Sequence, residues 1–261
     1  MKPYHQKNIH PYDEWYQTPI GRLIDERRKK IMVDMISPKC GERLLCVGFA
    51  AAHYMSFFRT KDCLVTGLER SVEMLSAARQ RIGDHGDFYL GDAEDLPFSD
   101  NEFDIVILIF TLETSNDPQR VISEAIRVCK GRVFLGVLNK YPLSRSYRNQ
   151  WEFGSPPAPL RFYHIGELTR MIKNQLGEAS IRWGSVFFFP CAWYGIASSL
   201  DRFIPVWKNP FGAFLCLSFP VAYRYTTIQE PVRTAYQVRK GRHPAPGVVR
   251  EINKDAGSNA L

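Results

Sequence analysis

Three residues at the ends of apolar runs have the types and spacing to bind a nucleotide-like ligand. They are Gly48 in "LLCVGFAAAHYMSFF", Glu69 in "GLERS" and Asp92 in "GDAEDLPF". A glycine after a strand lets the backbone approach a ligand closely. Glu69 follows Gly48 by 21 residues (69 − 48), close to the spacing at which an acid in a βαβ unit accepts hydrogen bonds from a ribose diol. Asp92 could accept a bond from an adenine amino group. Each residue also has a plain structural reading: Gly48 as a turn, Glu69 as a solvated charge, Asp92 as a turn cap. Their joint order along the chain is what points to a ligand.

A second set could move protons or hold an acceptor. Glu113 in "TLE" and His164 in "FYHIGE" are candidate general bases, with Tyr163 behind them. Glu113 could instead cap the turn that follows it, and His164 could cap or pack at a helix start. Tyr12, Trp15 and Tyr16 lie in "YDEWYQTPIGRLIDERRKKIM", which reads as a helix lidding the site, with those aromatics either near the acceptor or packed on the sheet. Arg145, Arg148 and Arg161 could contact an anion or be surface residues. The Phe- and Trp-rich stretch from Phe187 to Phe219 could line an apolar pocket.

Residues with these roles need elements to hold them. "RLLCVGF", "CLVTGLE", "DFYLGD", "FDIVILIF" and "RVFLGVLN" read as strands, and helical patterns separate them. The helices are "AAHYMSFFR", "SVEMLSAARQRI" with Ser71 as N-cap, and one opening at Asn116 or Asp117 with Pro118 in its first turn. Lys130–Gly131 is expected to end that last helix. Such alternation means a parallel sheet with right-handed crossovers, and ligands then sit at the strands' carboxyl ends. Beyond Asn139 a loop-rich stretch precedes the helix "IGELTRMIKNQLG", a strand around "SIRWGSVFFF" and an apolar run "GAFLCLSFPVAY" that could pair antiparallel with it. The division expected is an N-terminal helical lid at 1–40, a ligand-binding core at 41–140, a substrate-side insert with the last strands at 141–225, and a basic tail at 226–261.

Composition narrows the partners. The chain has 261 residues, 45% hydrophobic and 13% aromatic, with a formal charge of +7. That charge suits an anionic substrate, a membrane surface or nucleic acid, or a merely solvated basic face. Six cysteines show no CxxC and no pairing with histidine, so neither zinc nor a disulfide framework is expected and a reducing cytoplasm is the default. The N-terminus has no apolar signal region, and no apolar run is long enough to span a bilayer.

The stretch "GDAEDLPFSDNEFDIVIL" resembles the third and fourth motifs of class I S-adenosylmethionine-dependent methyltransferases, of the small-molecule kind that includes the ubiquinone/menaquinone C-methyltransferases. "TLETSNDPQRVISEAIRVCKGRVFLGVLN" is similar to that group's next helix and fifth strand. The resemblance covers residues 42 to 140 well and the C-terminal half in outline. It implies an α/β, Rossmann-like doubly wound fold, with a mostly parallel seven-stranded sheet and an antiparallel edge strand at the C-terminal end. It implies S-adenosylmethionine as cofactor, S-adenosylhomocysteine as its product, and a small-molecule acceptor; the Phe- and Trp-rich stretch from Phe187 to Phe219 is what suggests that this acceptor is apolar or lipid-like.

By this resemblance residues 46 to 52 occupy the family's acidic-x-Gly-x-Gly-x-Gly loop, here Cys46, Gly48, Ala50 and Ala52. The acidic position normally helps hold the cofactor's amino acid end, and Cys46 departs from the family at that contact. Alanine in place of glycine adds a methyl and, at positive φ, about 1–2 kcal/mol of strain. Backbone N–H donors survive. The cofactor-binding residues implied are Cys46, Gly48, Phe49, Ala50, Glu69, Arg70, Asp92, Ala93, Glu94, Phe110 and Thr111. The residues assigned to the acceptor, from the readings above, are Tyr12, Trp15, Tyr16, Asn139 and Arg161, with Glu113 and His164 as candidate catalytic groups. Other readings stay open: a non-catalytic scaffold with a decayed loop, or, with less support, a NAD-dependent oxidoreductase, which would favour a full GxGxxG. "FTLETS" after the fourth strand argues against methylation of nucleic-acid base amino groups. No specific nucleic-acid partner is expected. Weak contact with a membrane surface, and a monomer or homodimer, are compatible with the sequence.

Overall fold

Near-continuous apolar runs become the central strands, because a parallel strand covered on both faces has no solvent side to make polar. The computed structural model describes residues 16–48, 51–82, 87–141, 160–189, 193 and 203–221, all within the first of two compact units, residues 1–223 and 224–261. The expectations on Tyr12, Trp15, Phe49, Ala50, Arg145, Arg148 and the basic tail lie outside the described residues, as does the side chain of Ala52. The strands are β1 (Arg43–Val47), β2 (Leu64–Glu69), β3 (Asp87–Leu90), β4 (Phe103–Ile109), β5 (Cys129–Leu138), β6 (Arg182–Val186) and β7 (Phe214–Pro220). They form one seven-stranded sheet in the order β3-β2-β1-β4-β5-β7-β6.

β1 to β5 pair in parallel, and β7 runs antiparallel to both β5 and β6. The expected α/β sheet with an antiparallel strand in its C-terminal part is therefore present, with β7 seated between β5 and the edge strand β6. Strand order reverses between β1 and β4, the point at which doubly wound sheets open a ligand crevice.

Five helices cover the sheet among the described residues: α1 (Pro19–Ile36), α2 (Ala51–Arg59), α3 (Val72–Ile82), α4 (Pro118–Val128) and α5 (Ile165–Leu176). α1 opens at Thr18, whose Oγ1 accepts from Gly21 N at 2.9 Å, with Pro19 supplying a preset φ. It buries Ile24, Ile31, Met32, Met35 and Ile36 in one core layer with Tyr54, Met55 and Phe58 of α2. α4 and α5 bury Val121, Ile122, Ala125, Leu168 and Ile172 in the layer on the other face. The direction of α1 matters for the site. Its last residue, Ile36, accepts a bond from Arg132 at the start of β5, whereas Arg28 lies 4.9 Å from the rings of Phe110 and Phe214 at the sheet's carboxyl rim. The N-terminal part of α1, with Tyr16 before it, therefore reaches that rim.

One boundary differs from expectation. α4 passes straight into β5 at Cys129, so Lys130–Gly131 lies inside a strand and ends no helix. Glycine is there because a Cβ at 131 would collide with the Asp104 carbonyl oxygen of β4. The other end of α4 is as read: Asp117 Oδ1 accepts from Gln119 N at 3.0 Å and Arg120 N at 3.1 Å. Replacing Asp117 by alanine should cost about 1 kcal/mol and lower the melting temperature by roughly 2–4 °C. A thermal melt indistinguishable from wild type would mean that Pro118 and burial alone fix this helix start.

Candidate functional site

The turn after β1 is held from three strands. Gly48 N donates to Leu68 O of β2 at 2.9 Å, and Thr111, just past β4, donates its hydroxyl to Val47 O at 2.8 Å. Gly48 has φ +93°, a conformation that side chains rarely adopt. A Cβ there would also stand 2.7 Å from Thr111 Oγ1. The turn thus brings bare backbone to the crevice, with Thr111 buried behind it. Phe110, buried beside Thr111, takes φ +56° and donates its N–H to Gly136 O at 2.9 Å.

Glu69 ends β2 almost wholly buried. Its Oε1 accepts from the N–H groups of Arg70 and Ser71, both at 2.9 Å, which fixes the carboxyl's orientation and leaves Oε2 out of those bonds. Burial raises its pKa, and the two backbone bonds and Arg70 work against that rise. A ligand diol donating to this carboxylate would replace the water that burial removed. Arg70 is exposed and reaches Thr114 O at 3.5 Å.

The loop after β3 uses its acids on itself. Asp92 Oδ1 accepts from Glu94 N at 3.0 Å. Glu94 Oε1 accepts from Asn116 N at 2.7 Å and Asp117 N at 3.1 Å, so it ties this loop to the start of α4. Ala93 packs between them on the core layer beneath. These bonds make the loop a fixed wall of the crevice.

The groups expected to act on protons are placed differently from one another. Glu113 is buried, and its Oε1 accepts from Leu138 N at 2.6 Å. Its Oε2 is buried with no hydrogen-bond partner among the described residues. Burial pushes this carboxyl up to about 8 despite the backbone bonds that oppose it. His164 is exposed and caps α5, its Nδ1 accepting from Gly166 N at 3.1 Å. Tyr163 is buried, with its hydroxyl donating to Leu112 O at 2.7 Å. Asn139 is buried and donates through Nδ2 to Pro210 O at 2.6 Å and Gly212 O at 2.7 Å. Arg161 is exposed, and its Nη1 donates to Asn116 O at 3.4 Å.

Sequence reasoning passed over a cluster on α1 and α2. Asp25 Oδ1 accepts from His53 Nε2, and Asp25 Oδ2 pairs with Lys29 Nζ, both at 2.6 Å. Tyr16 stacks on the His53 ring with centroids 4.1 Å apart. Arg28 is buried under three rings, Phe110, Phe214 and Phe187. The one local signal was the i, i+4 spacing of Asp25 and Lys29; the bond to His53 spans 28 residues. Cys46, by contrast, is buried, and burial drives its thiol far above the ordinary value. It carries no charge at neutral pH. The site thus fits an adenosine-bearing ligand at the Gly48 turn and at Glu69, and offers no anion at residue 46.

Residues 45–135 match the family described as "Methyltransferase domain". The chain is similar to the demethylmenaquinone methyltransferase of Renibacterium salmoninarum, 34% identical over 104 residues that cover 40% of this chain and 44% of the relative. It is also similar to a phosphatidylethanolamine N-methyltransferase of Cereibacter sphaeroides, 29% identical over 46% of this chain and 61% of the relative. The matched parts thus span roughly half the length of these curated relatives. Among solved structures, a Thermotoga maritima S-adenosylmethionine-dependent methyltransferase, titled a possible histamine N-methyltransferase, shares the fold with a TM-score of 0.61. The identity there is 21%, over 83% of this chain and 97% of that one. Residues 45–135 thus carry a methyltransferase domain, and the chain resembles the ubiquinone/menaquinone C-methyltransferase group.

Gly48→Ala should destabilise the protein through both the strained φ and the clash with Thr111. The double variant Gly48→Ala/Thr111→Ala should recover the clash part, so the two substitutions will not add in thermal or urea unfolding. Strict additivity would show that the hydroxyl does not constrain residue 48. Glu113 makes a separate prediction. Its folded-state pKa of about 8 lies above the roughly 4.3 of an unfolded chain, so between these values the native state holds a proton that the unfolded state has lost. Stability should fall as pH rises through that window, and Glu113→Gln should flatten the fall. Urea midpoints from pH 5 to pH 8 that decline equally in both proteins would assign the slope elsewhere.

Proposed function

We propose that this protein transfers a methyl group from S-adenosylmethionine to a small, apolar, lipid-like acceptor in the cytoplasm. The observation that carries the reading is the Gly48–Thr111 turn set opposite Glu69 at the reversal of strand order, in a domain of the methyltransferase family. When bound, the cofactor supplies a sulfonium-activated methyl group.

The chain's own task is then alignment and exclusion of water. Gly48 admits the ligand to the backbone, and Glu69 receives the ribose hydroxyls through Oε2. The fixed Asp92–Glu94 loop walls the adenine side, with Arg70 and Phe110 flanking it. Glu113, through Oε2, and His164, through Nε2, are the groups we assign to accept a proton where the acceptor must lose one. A carboxyl held near 8 is matched to proton transfer close to neutral pH.

An apolar acceptor suits the rim that faces it. Phe110, Phe187 and Phe214 crowd its α1 side. The connection from β6 to β7 begins and ends at the same rim, and there Phe211 is exposed beside Tyr141. Demethylmenaquinone and phosphatidylethanolamine, for which two of the relatives are named, point the same way. Exposed aromatics beside basic residues also suit weak contact with a membrane surface; no described helix is long and apolar enough to cross one. Tyr16, Asn139 and Arg161 complete the acceptor side in this reading, in a monomer or homodimer.

Isothermal titration with S-adenosylmethionine and S-adenosylhomocysteine tests the core of the proposal. Micromolar-range binding by the wild type is expected, with loss in Glu69→Ala. A folded wild type that binds neither would leave a scaffold with the family's fold as the better reading.

A further inference from the structure

The cofactor ends in a zwitterion, with an ammonium and a carboxylate on one carbon. Withdrawing that ammonium from water requires an anion in its place. Residue 46, at the end of β1, provides a neutral buried thiol. The acids around the crevice are largely occupied by backbone: Glu69 Oε1 by residues 70 and 71, Glu94 by 116 and 117, Glu113 by 138, Asp92 by 94.

Asp25 differs, because side chains hold it. His53 Nε2 and Lys29 Nζ each stand 2.6 Å from a different carboxyl oxygen. The two carboxyl oxygens have further lone pairs beyond these bonds. His53 lies in the first turn of α2, which begins three residues after Gly48, so the cluster flanks the cofactor turn. Tyr16 covers it by stacking on His53, and the Asp25 and His53 side chains keep only 11% and 10% of their surface exposed. Burial alone would raise the Asp25 pKa, but bonds and charge from His53 and Lys29 bring it below its ordinary value. The group is an anion at neutral pH, in a place where water competes little.

Resting on the cofactor reading above, we propose that Asp25, Lys29 and His53 form the subsite for the amino acid end of S-adenosylmethionine. Asp25 accepts hydrogen bonds from the ammonium. Lys29 pairs with the carboxylate, and His53 fixes Asp25 relative to the Gly48 turn. The ion pair Asp25–Lys29 meets a ligand ion pair of opposite sense, so each charge gains a second partner.

Two ligands separate this subsite from the rest of the pocket. S-adenosylhomocysteine carries the amino acid end; 5′-methylthioadenosine keeps the adenosine and sulfur but lacks it. In isothermal titration, Asp25→Asn should weaken S-adenosylhomocysteine by about tenfold or more and leave methylthioadenosine within about twofold of wild type. Lys29→Met should weaken the same ligand alone. Glu69→Ala should weaken both. Normal S-adenosylhomocysteine affinity in Asp25→Asn would overturn the proposal, and so would equal losses of both ligands, which would mark a structural role. Wild type that binds both ligands equally well overturns the subsite and leaves the cofactor reading standing; wild type that binds neither overturns the cofactor reading as well.

Discussion

A threonine hydroxyl occupies the space where residue 48 would carry a side chain, and the rest of the site is arranged around that fact. Thr111 Oγ1 reaches the Val47 carbonyl at 2.8 Å, joining the ends of β1 and β4 where the sheet opens. Gly48 N reaches Leu68 O at 2.9 Å, joining the same turn to β2. Three strand ends are thereby locked at one corner, and the lock works only if residue 48 has no Cβ and can adopt positive φ. That is a reason for glycine at 48 which is independent of any ligand. It explains why a chain with alanine at 50 and 52 still keeps this glycine.

The carboxylates around the crevice show how structural and chemical uses of one residue type divide. Glu94 and Glu113 each receive backbone N–H groups from a distant segment, and Glu124 receives Leu96 N at 3.0 Å while pairing with Arg127. A carboxylate bonded to backbone amides is a cross-link between loops that have no ladder of their own. Glu69 and Glu113 stand apart because they are buried with the second oxygen outside those bonds, and burial raises the proton affinity of both. Carrying an acid with one oxygen withheld is costly to the fold, and this is the pattern expected of a group that meets a ligand.

Much of the fold was legible because its signals are local. The apolar runs of β1, β2, β4 and β5 and the helix start at Asp117 depend on near neighbours in sequence; the start of α1 at Thr18, inside a stretch read as one helix from Tyr12, did not show. Where the reading went astray at Lys130–Gly131, two local explanations for glycine competed, and a contact across strands decided between them. The seating of β7 between β5 and β6 is likewise a matter of tertiary pairing that no periodicity encodes. In the site, Gly48 and Glu69 could be singled out by spacing. Asp25 and His53 could not, since neither belongs to a motif and their relation is made only by the packing of α1 on α2.

That packing has a thermodynamic consequence. An anion mounted on β1 would be part of the most buried strand pairings and would be present whenever the sheet is folded. An anion mounted on α1 is present only when that helix is docked through Ile24, Ile31 and Met32 and its Thr18 end reaches the rim. Ligand binding through Asp25 and docking of α1 then share one free energy: each favours the other by the same amount. A neutral cysteine at residue 46 removes the alternative partner on the strand. The site's affinity for the zwitterion accordingly becomes a measure of how firmly the N-terminal helix is closed over the sheet.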